Sequence, residues 1–245
     1  MRTITYKCGC ETEFEEKEGQ YEVCKNGHFL CNEHASKAFQ LAYYKSNVWA
    51  ERTKWLNKRI MKNPMDMMMI QEIICDTRPD VIVETGTFHG GSALFMATIL
   101  DNIKKGTIFT VENDNKHNGN RPQHRRIHYI EGDSTSDDVV NDIKKQVNGA
   151  GSVMVCLDSD HNKDNVLKEM EKYCGLVTIG NYLIVEDTNI NNPMKITKKG
   201  IRIYQQGPHE AVEEFLKTHD DFMIDKSREK FMFTFNPDGY LKKIQ

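Results

Sequence analysis

The rhythm of apolar and polar positions changes along the chain. From residue 79 onward, short apolar runs alternate with stretches whose apolar positions recur every three or four residues. The runs at 81–84, 107–111, 126–130, 153–157 and 182–185 read as strands. The stretches at 92–100, 136–147, 163–173 and 209–218 read as helices. The closing F-M-F-T-F-N-P-D-G-Y alternates and reads as an end strand with a turn. Strands separated by helices over this length predict an α/β fold, a doubly wound and mostly parallel sheet.

Upstream the pattern is different. Residues 35–62 have helical composition, with Phe39, Leu41, Ala42, Trp49, Trp55 and Leu56 as apolar markers. K-N-P-M-D at 62–66 breaks that run, and Pro64 suits the first turn of a new helix, which Arg78-Pro79 ends. These changes divide the chain into residues 1–35, a helical extension at 36–78, and a main domain at 79–245. The polar loop at 188–207 is long enough to cover a site.

Composition narrows the function classes. Among 245 residues, 33 basic side chains face 36 acidic ones, which disfavours a nucleic-acid binder driven by bulk charge. No apolar run approaches the ~18 residues of a membrane span, and the start MRTITYKCGC lacks the apolar region of a secretory signal. A cytoplasmic protein is expected. Trp49 and Trp55 belong either to core packing or to the interface of a homo-oligomer.

Four of the seven cysteines crowd the first 31 residues. A cytosolic cluster of this kind favours zinc over disulfides. Cys8-x-Cys10 and Cys31-x-x-His34 could each supply two ligands, and G-H-x-x-C-x-x-H is similar to half of a RING-type or treble-clef knuckle. Cys24 and His28 are alternates. The expectation is a small zinc-knuckle-like segment holding Zn2+, which would also explain how so short a stretch folds. Its seven acidic against four basic residues argue against phosphate contacts.

Residues 83–92 read V-E-T-G-T-F-H-G-G-S. Glycines after a parallel strand allow a tight turn and close approach of a ligand to the backbone, and the next helix offers free N–H groups. The spacing is not the dinucleotide pattern G-x-G-x-x-G. Instead Glu84 ends the first strand, Glu112 the second, and Gly132-Asp133-Ser134 follow the third. Acids at these strand ends suit S-adenosylmethionine: Glu84 for its amino group, Glu112 for the ribose diol, Asp133 and Ser134 near the adenine. Thr85, Gly86, Thr87, Gly90 and Ser92 complete the expected cofactor turn.

Further on, L-D-S-D-H ends one strand and V-E-D-T the next. Asp158, Asp160, Glu186 and Asp187 would then share one rim. Crowded carboxylates are costly without a cation, and hard oxygen donors suit magnesium. Asp160, Glu186 and Asp187 are the expected Mg2+ ligands, with Asp158 either competing with Asp160 or facing the cofactor. His161 and Lys163 are candidate bases; an imidazole ordinarily titrates near neutral pH.

Taken together, V-E-T-G-T-x-x-G-G-S-A, L-D-S-D-H, Y-L-I-V-E-D-T-N-I-N, G-P-H-E-A-V-E-E-F-L and S-R-E-K-F-M-F-T-F-N-P-D-G-Y-L-K resemble the cephalosporin hydroxylase / rhamnosyl O-methyltransferase family over about residues 50–243. The resemblance implies a Rossmann-like methyltransferase fold and an S-adenosylmethionine- and magnesium-dependent O-methyltransferase. Its acceptor would be a sugar or other small molecule. Two alternatives come with it: oxygenation of a cephalosporin-like substrate, and a non-catalytic S-adenosylmethionine-binding module. The cysteine cluster departs from the family pattern.

Overall fold

A computed structural model of the chain describes residues 2–5, 11–14, 32–114, 119–190 and 206–245. Strands β1 (Arg2–Thr5) and β2 (Glu11–Phe14) pair antiparallel. Helix α1 (Asn32–Lys45) follows, so it crosses the expected boundary at 35/36. Cys8, Cys10, Cys24, His28 and Cys31 lie outside the described residues, and His34 stands in the first turn of α1.

The stretch of helical composition at 35–62 is helical only in part. After α1 comes a π-helical turn at Val48–Arg52, then a hairpin of β3 (Lys54–Trp55) and β4 (Lys58–Arg59). Leu56 and Asn57 have positive φ, which ends helical propagation at the hairpin turn. Trp55 anchors the hairpin against the main domain: its Nε1–H donates to Thr98 Oγ1 at 3.1 Å, and its ring meets Phe95 edge-on at 5.0 Å.

Helix α2 (Pro64–Thr77) starts as its sequence predicts. Asn63 caps it by accepting from Met65 N, Pro64 takes the first turn, and Arg78 closes it in a left-handed conformation.

Seven strands form the main sheet. Those from β5 (Val81–Thr85), β6 (Thr107–Glu112), β7 (Ile127–Glu131), β8 (Val153–Leu157) and β9 (Tyr182–Val185) run parallel. At one edge β11 (Tyr240–Lys243) pairs antiparallel with both β9 and β10 (Phe222–Ile224). The spatial order is β10-β11-β9-β8-β5-β6-β7. Strand order reverses at β5 and β8, and open sheets of this type bind ligands at the carboxyl ends beside that reversal.

Helices α3 (Gly91–Asn102), α4 (Asp137–Val147), α5 (Lys163–Tyr173) and α6 (Pro208–Phe215) complete two packed faces. Strand alternation sorts the core. Ile82, Ile108, Met154 and Ile184 face α2 and α3, while Val83, Val155 and Leu183 pack toward α4, α5 and α6. By the same alternation Glu84, Cys156 and Glu186 fall on the α2–α3 side.

The expected end strand in F-M-F-T-F lies elsewhere, at Tyr240–Lys243. Residues 231–235 form a strap across α2. Phe233 and Phe235 are buried, giving the alternation, but the strap bonds to a side chain rather than a ladder. Thr234 Oγ1–H and Phe235 N–H both donate to the buried Asp66 carboxylate, which also accepts from Tyr240 and Asn63.

Candidate active site

A cleft of about 710 Å³ opens at the carboxyl ends of β5–β9. Gly86 makes it possible. Its φ is +87°, and a Cβ there would lie 1.9 Å from the Asp158 carbonyl oxygen. Gly91, at the start of α3, is pressed as closely by the hairpin: a Cβ would meet Arg59 O at 2.0 Å. The glycine turn therefore brings the segment after β8 and the hairpin together over the head of α3.

The cofactor candidates separate into two groups. Gly86, Thr87, Ser92, Glu112, Asp133, Ser134 and Asp158 line the cleft, whereas Glu84, Thr85 and Gly90 do not. Glu84 is buried beside its register partner Thr110, whose hydroxyl donates to it at 2.5 Å, as does that of Ser92. Burial pushes the Glu84 carboxyl up to about 7. This residue knits β5, β6 and α3 together below the cleft floor. Thr87 Oγ1 meets Thr110 Oγ1 at 2.7 Å and extends that chain.

Glu112 accepts from Phe88 N at 2.8 Å and Asp114 N at 3.1 Å, one bond to each oxygen, and faces the cleft. A carboxylate so oriented can still accept from a diol. Asp133 Oδ1 accepts from Thr135 N and Oγ1, and that backbone N–H holds the Asp133 carboxyl below the usual carboxylate range. The Ser134 hydroxyl is committed to the buried Glu169. Glu169 also accepts from Ser159 Oγ at 2.7 Å, tying the segments after β7 and β8 to α5.

Among the described residues, one group of His, Cys, Asp and Glu side chains is close enough to share an ion: Asp158, His161 and Asp187, whose ligand atoms lie within 4.8 Å of one another. His161 Nε2 is 3.4 Å from Asp187 Oδ2. Asp187 has φ +56°, an uncommon conformation for a side-chain-bearing residue, fixed by its N–H donating to the buried Asn236 Oδ1 at 2.9 Å. That turn swings Asp187 into the cleft, while Glu186 keeps the strand's alternation and points below it. Burial raises the Asp187 carboxyl, the nearby His161 lowers it, and Asp158 raises it further.

The remaining candidates stand apart from this group. Asp160 is exposed at the cleft rim and accepts from Asn162 N at 3.0 Å. Glu186 is buried and bonded to Lys62. Lys163 reaches toward Glu214 of α6, 3.9 Å away, and does not line the cleft. Of the loop at 188–207, residues 191–205 lie outside the described residues, and Ile190 lines the cleft.

Sequence motifs missed two parts of the site. Lys62 is buried, with its ammonium on Asp158 at 2.6 Å and on Glu186. Burial opposes its charge, but the two carboxylates raise its pKa well above the ordinary value. The rings of Tyr44 and Trp49 stack with centroids 5.1 Å apart, and both residues line the cleft. The signal for Lys62 was its place directly before the α2 cap.

Two carboxylates converging with an imidazole suit a divalent cation in donor chemistry. Burial, and after it the neighbouring Asp158, raise the Asp187 carboxyl, and a bound cation would offset both.

A family model, that of Rhamnosyl O-methyltransferase/CmcI, matches residues 47–244. Over 205 residues the chain is 36% identical to the rhamnosyl O-methyltransferase of Mycobacterium leprae (strain TN), covering 81% of this chain and 86% of that protein. It is 34% identical over 206 residues to the protein of the same name from Mycobacterium tuberculosis (strain ATCC 25618 / H37Rv), covering 81% of each. In fold it is similar to CmcI solved with Mg and SAM, with TM-score 0.58, 17% identity, and 81% and 84% of the two chains covered. A CmcI structure with SAH gives TM-score 0.53 at 16% identity, covering 78% and 81%.

Proposed function

The chain belongs to the Rhamnosyl O-methyltransferase/CmcI family, and from that premise we propose how its cleft works. It is an O-methyltransferase that uses S-adenosylmethionine and magnesium, and the acceptor in this reading is a hydroxyl of a sugar. Names of the mycobacterial relatives support a rhamnosyl acceptor. The observation that carries the reading is the convergence of Asp158, His161 and Asp187 beside the glycine turn at the strand-order reversal.

The roles follow from donor chemistry. Gly86, the head of α3 and Glu112 would hold the methyl donor, with Asp133 and Ser134 at its adenine end. Asp158 and Asp187 would hold magnesium, whose bound form polarises an acceptor hydroxyl and lowers its pKa. His161, a poorer partner for that hard ion, is left as the proton acceptor. Asp187 orients the imidazole and stabilises it once protonated. S-adenosylmethionine would supply the methyl group from its sulfonium sulfur and leave as the neutral thioether, and His161 would take the one proton released from the acceptor hydroxyl.

Tyr44 and Trp49 supply an aromatic wall suited to the C–H face of a pyranose ring. A cytoplasmic location accords with the free thiols of Cys75, Cys156 and Cys174. No helix among the described residues is long and apolar enough to cross a membrane. A zinc ion among Cys8, Cys10, Cys31 and His34, with Cys24 and His28 as alternates, remains part of the reading, and metal analysis with and without residues 1–35 tests it.

The direct assay is transfer of labelled methyl from S-adenosylmethionine to rhamnosides, with magnesium and with EDTA. Magnesium-dependent labelling of a hydroxyl supports the reading. Labelling that EDTA leaves unchanged contradicts the metal role.

A further inference from the structure

The aromatic strap at 231–235 links a buried carboxylate to the wall of the cleft. The carboxylate is Asp66 of α2, 3% exposed. Phe235 N–H and Asn63 Nδ2 donate to one of its oxygens at 2.9 and 3.0 Å, and the hydroxyls of Thr234 and Tyr240 donate to the other. A carboxylate offers about four lone-pair sites, so the set is filled. On its other side Phe235 meets the rings of Tyr44 and Trp49 at 5.9 and 5.5 Å, steeply inclined to both. Tyr44 and Trp49 form one unit, stacked and joined by Trp49 Nε1–H donating to Tyr44 O at 3.1 Å. The strap also holds α1, which leads into that unit: Phe39 meets Phe233 at 5.1 Å, and Ser36 Oγ–H donates to Met232 O.

We propose that Asp66 is a positioning residue for the Tyr44–Trp49 wall: acting through Phe235, it sets where that wall stands in the cleft. Its effect on the reaction rests on the reading of the wall as the acceptor's, and in that reading Asp66 sets acceptor affinity from behind the site. The link is short. Asp66 fixes the Phe235 N–H and the Thr234 hydroxyl beside it, and Phe235 is 3% exposed, so a shifted backbone carries the ring, and the ring carries the two packed on it. Arg59 Nε–H donates to Ala50 O at 2.6 Å and keeps the segment after Trp49 attached when the strap is loosened, so the wall shifts rather than unfolds. Asparagine can take over the network: its oxygen accepts from the two N–H donors, and its amide donates to the two hydroxyls, which can accept. Alanine leaves all four donors without that partner in a buried place. Asn236, next along the chain, holds the Asp187 N–H, so kcat is free to fall in these variants, and the position of Trp49 and the acceptor KM isolate the wall.

The test uses the full chain carrying Trp55→Phe, which leaves Trp49 as the one tryptophan of the sequence. Acrylamide quenching of its fluorescence reads the wall, initial rates read the KM for a rhamnoside acceptor, and calorimetry reads S-adenosylhomocysteine. In Asp66→Ala, quenching should rise at least ~2-fold and the acceptor KM about tenfold, while the affinity for S-adenosylhomocysteine stays within about twofold. Asp66→Asn should keep both wall readouts within about twofold of the parent. Phe235→Leu keeps the bonds to Asp66 and removes the ring, and it should move both readouts as Asp66→Ala does. A merely structural carboxylate would lower the melting temperature of Asp66→Ala and leave Trp49 and the acceptor KM unchanged in the folded protein, which overturns the proposal. If Asp66→Ala does not fold, Phe235→Leu decides, and unchanged quenching there overturns the proposal. Trp49 newly open to acrylamide with an unchanged acceptor KM sustains Asp66 as the anchor of the wall and contradicts the wall's role toward the acceptor.

Discussion

Gly86 packs directly on Asp158, so closely that a Cβ would stand 1.9 Å from the Asp158 carbonyl oxygen. The contact joins the turn after β5 to the segment after its neighbour β8, and both segments line the cleft. Gly86→Ala must displace one wall and also strain a backbone at φ +87°. It should cost at least ~2 kcal/mol and lower the melting temperature by roughly 5 °C, with S-adenosylhomocysteine binding lost in calorimetry. Wild-type binding and stability in this variant would contradict the packing argument.

Much of this arrangement is legible in the sequence because it follows from periodicity. Parallel strands announce themselves as apolar runs, and residues at their carboxyl ends are placed by the strand alone, as with Gly86, Glu112 and Asp187. What periodicity does not convey is which way an end residue points. Glu186 and Asp187 are adjacent, yet a positive φ at Asp187 sends one into the cleft and leaves the other beneath it. Lys62 and Asp158 are 96 positions apart, and only packing of the hairpin and α2 against the sheet brings them together. The aromatic strap at 231–235 misled for a related reason: its alternation is genuine, but Asp66, not a neighbouring strand, satisfies it.

Asp158 and Asp187 are expected to act on the metal and not on the methyl donor. Asp158→Asn and Asp187→Asn should each lower magnesium-dependent kcat/KM by ~100-fold or more. The affinity for S-adenosylhomocysteine should stay within about threefold in Asp187→Asn, since that residue lies away from the glycine turn. Equal losses in both quantities would contradict separate seats.

Glu84 makes the fold sensitive to pH. Its carboxyl titrates at about 7 in the folded protein against an ordinary value of 4.5, because it is buried. Between those values the folded protein keeps a proton that the unfolded chain has released. Stability therefore falls as pH rises through this window, by ~3 kcal/mol for this group. Glu84→Gln imitates the protonated form and should flatten the decline. Urea unfolding at about pH 5 and about pH 8 checks this, and equal declines in both proteins would contradict it.

Trp49 is expected to serve the acceptor. Trp49→Ala should raise the acceptor KM by about tenfold through loss of the stacked wall with Tyr44, and change the KM for S-adenosylmethionine by less than about twofold. A change confined to the methyl donor would contradict an acceptor wall.

The central claim is that one cleft holds a methyl donor over the glycine turn and a divalent ion between Asp158 and Asp187. A crystal grown with S-adenosylhomocysteine and Mn2+ and measured for anomalous scattering tests it most directly. The account predicts a manganese peak bridging those two carboxylates, with the thioether sulfur close by and the nucleoside lying against Glu112. Manganese bound elsewhere, or a nucleoside outside the cleft, would contradict it.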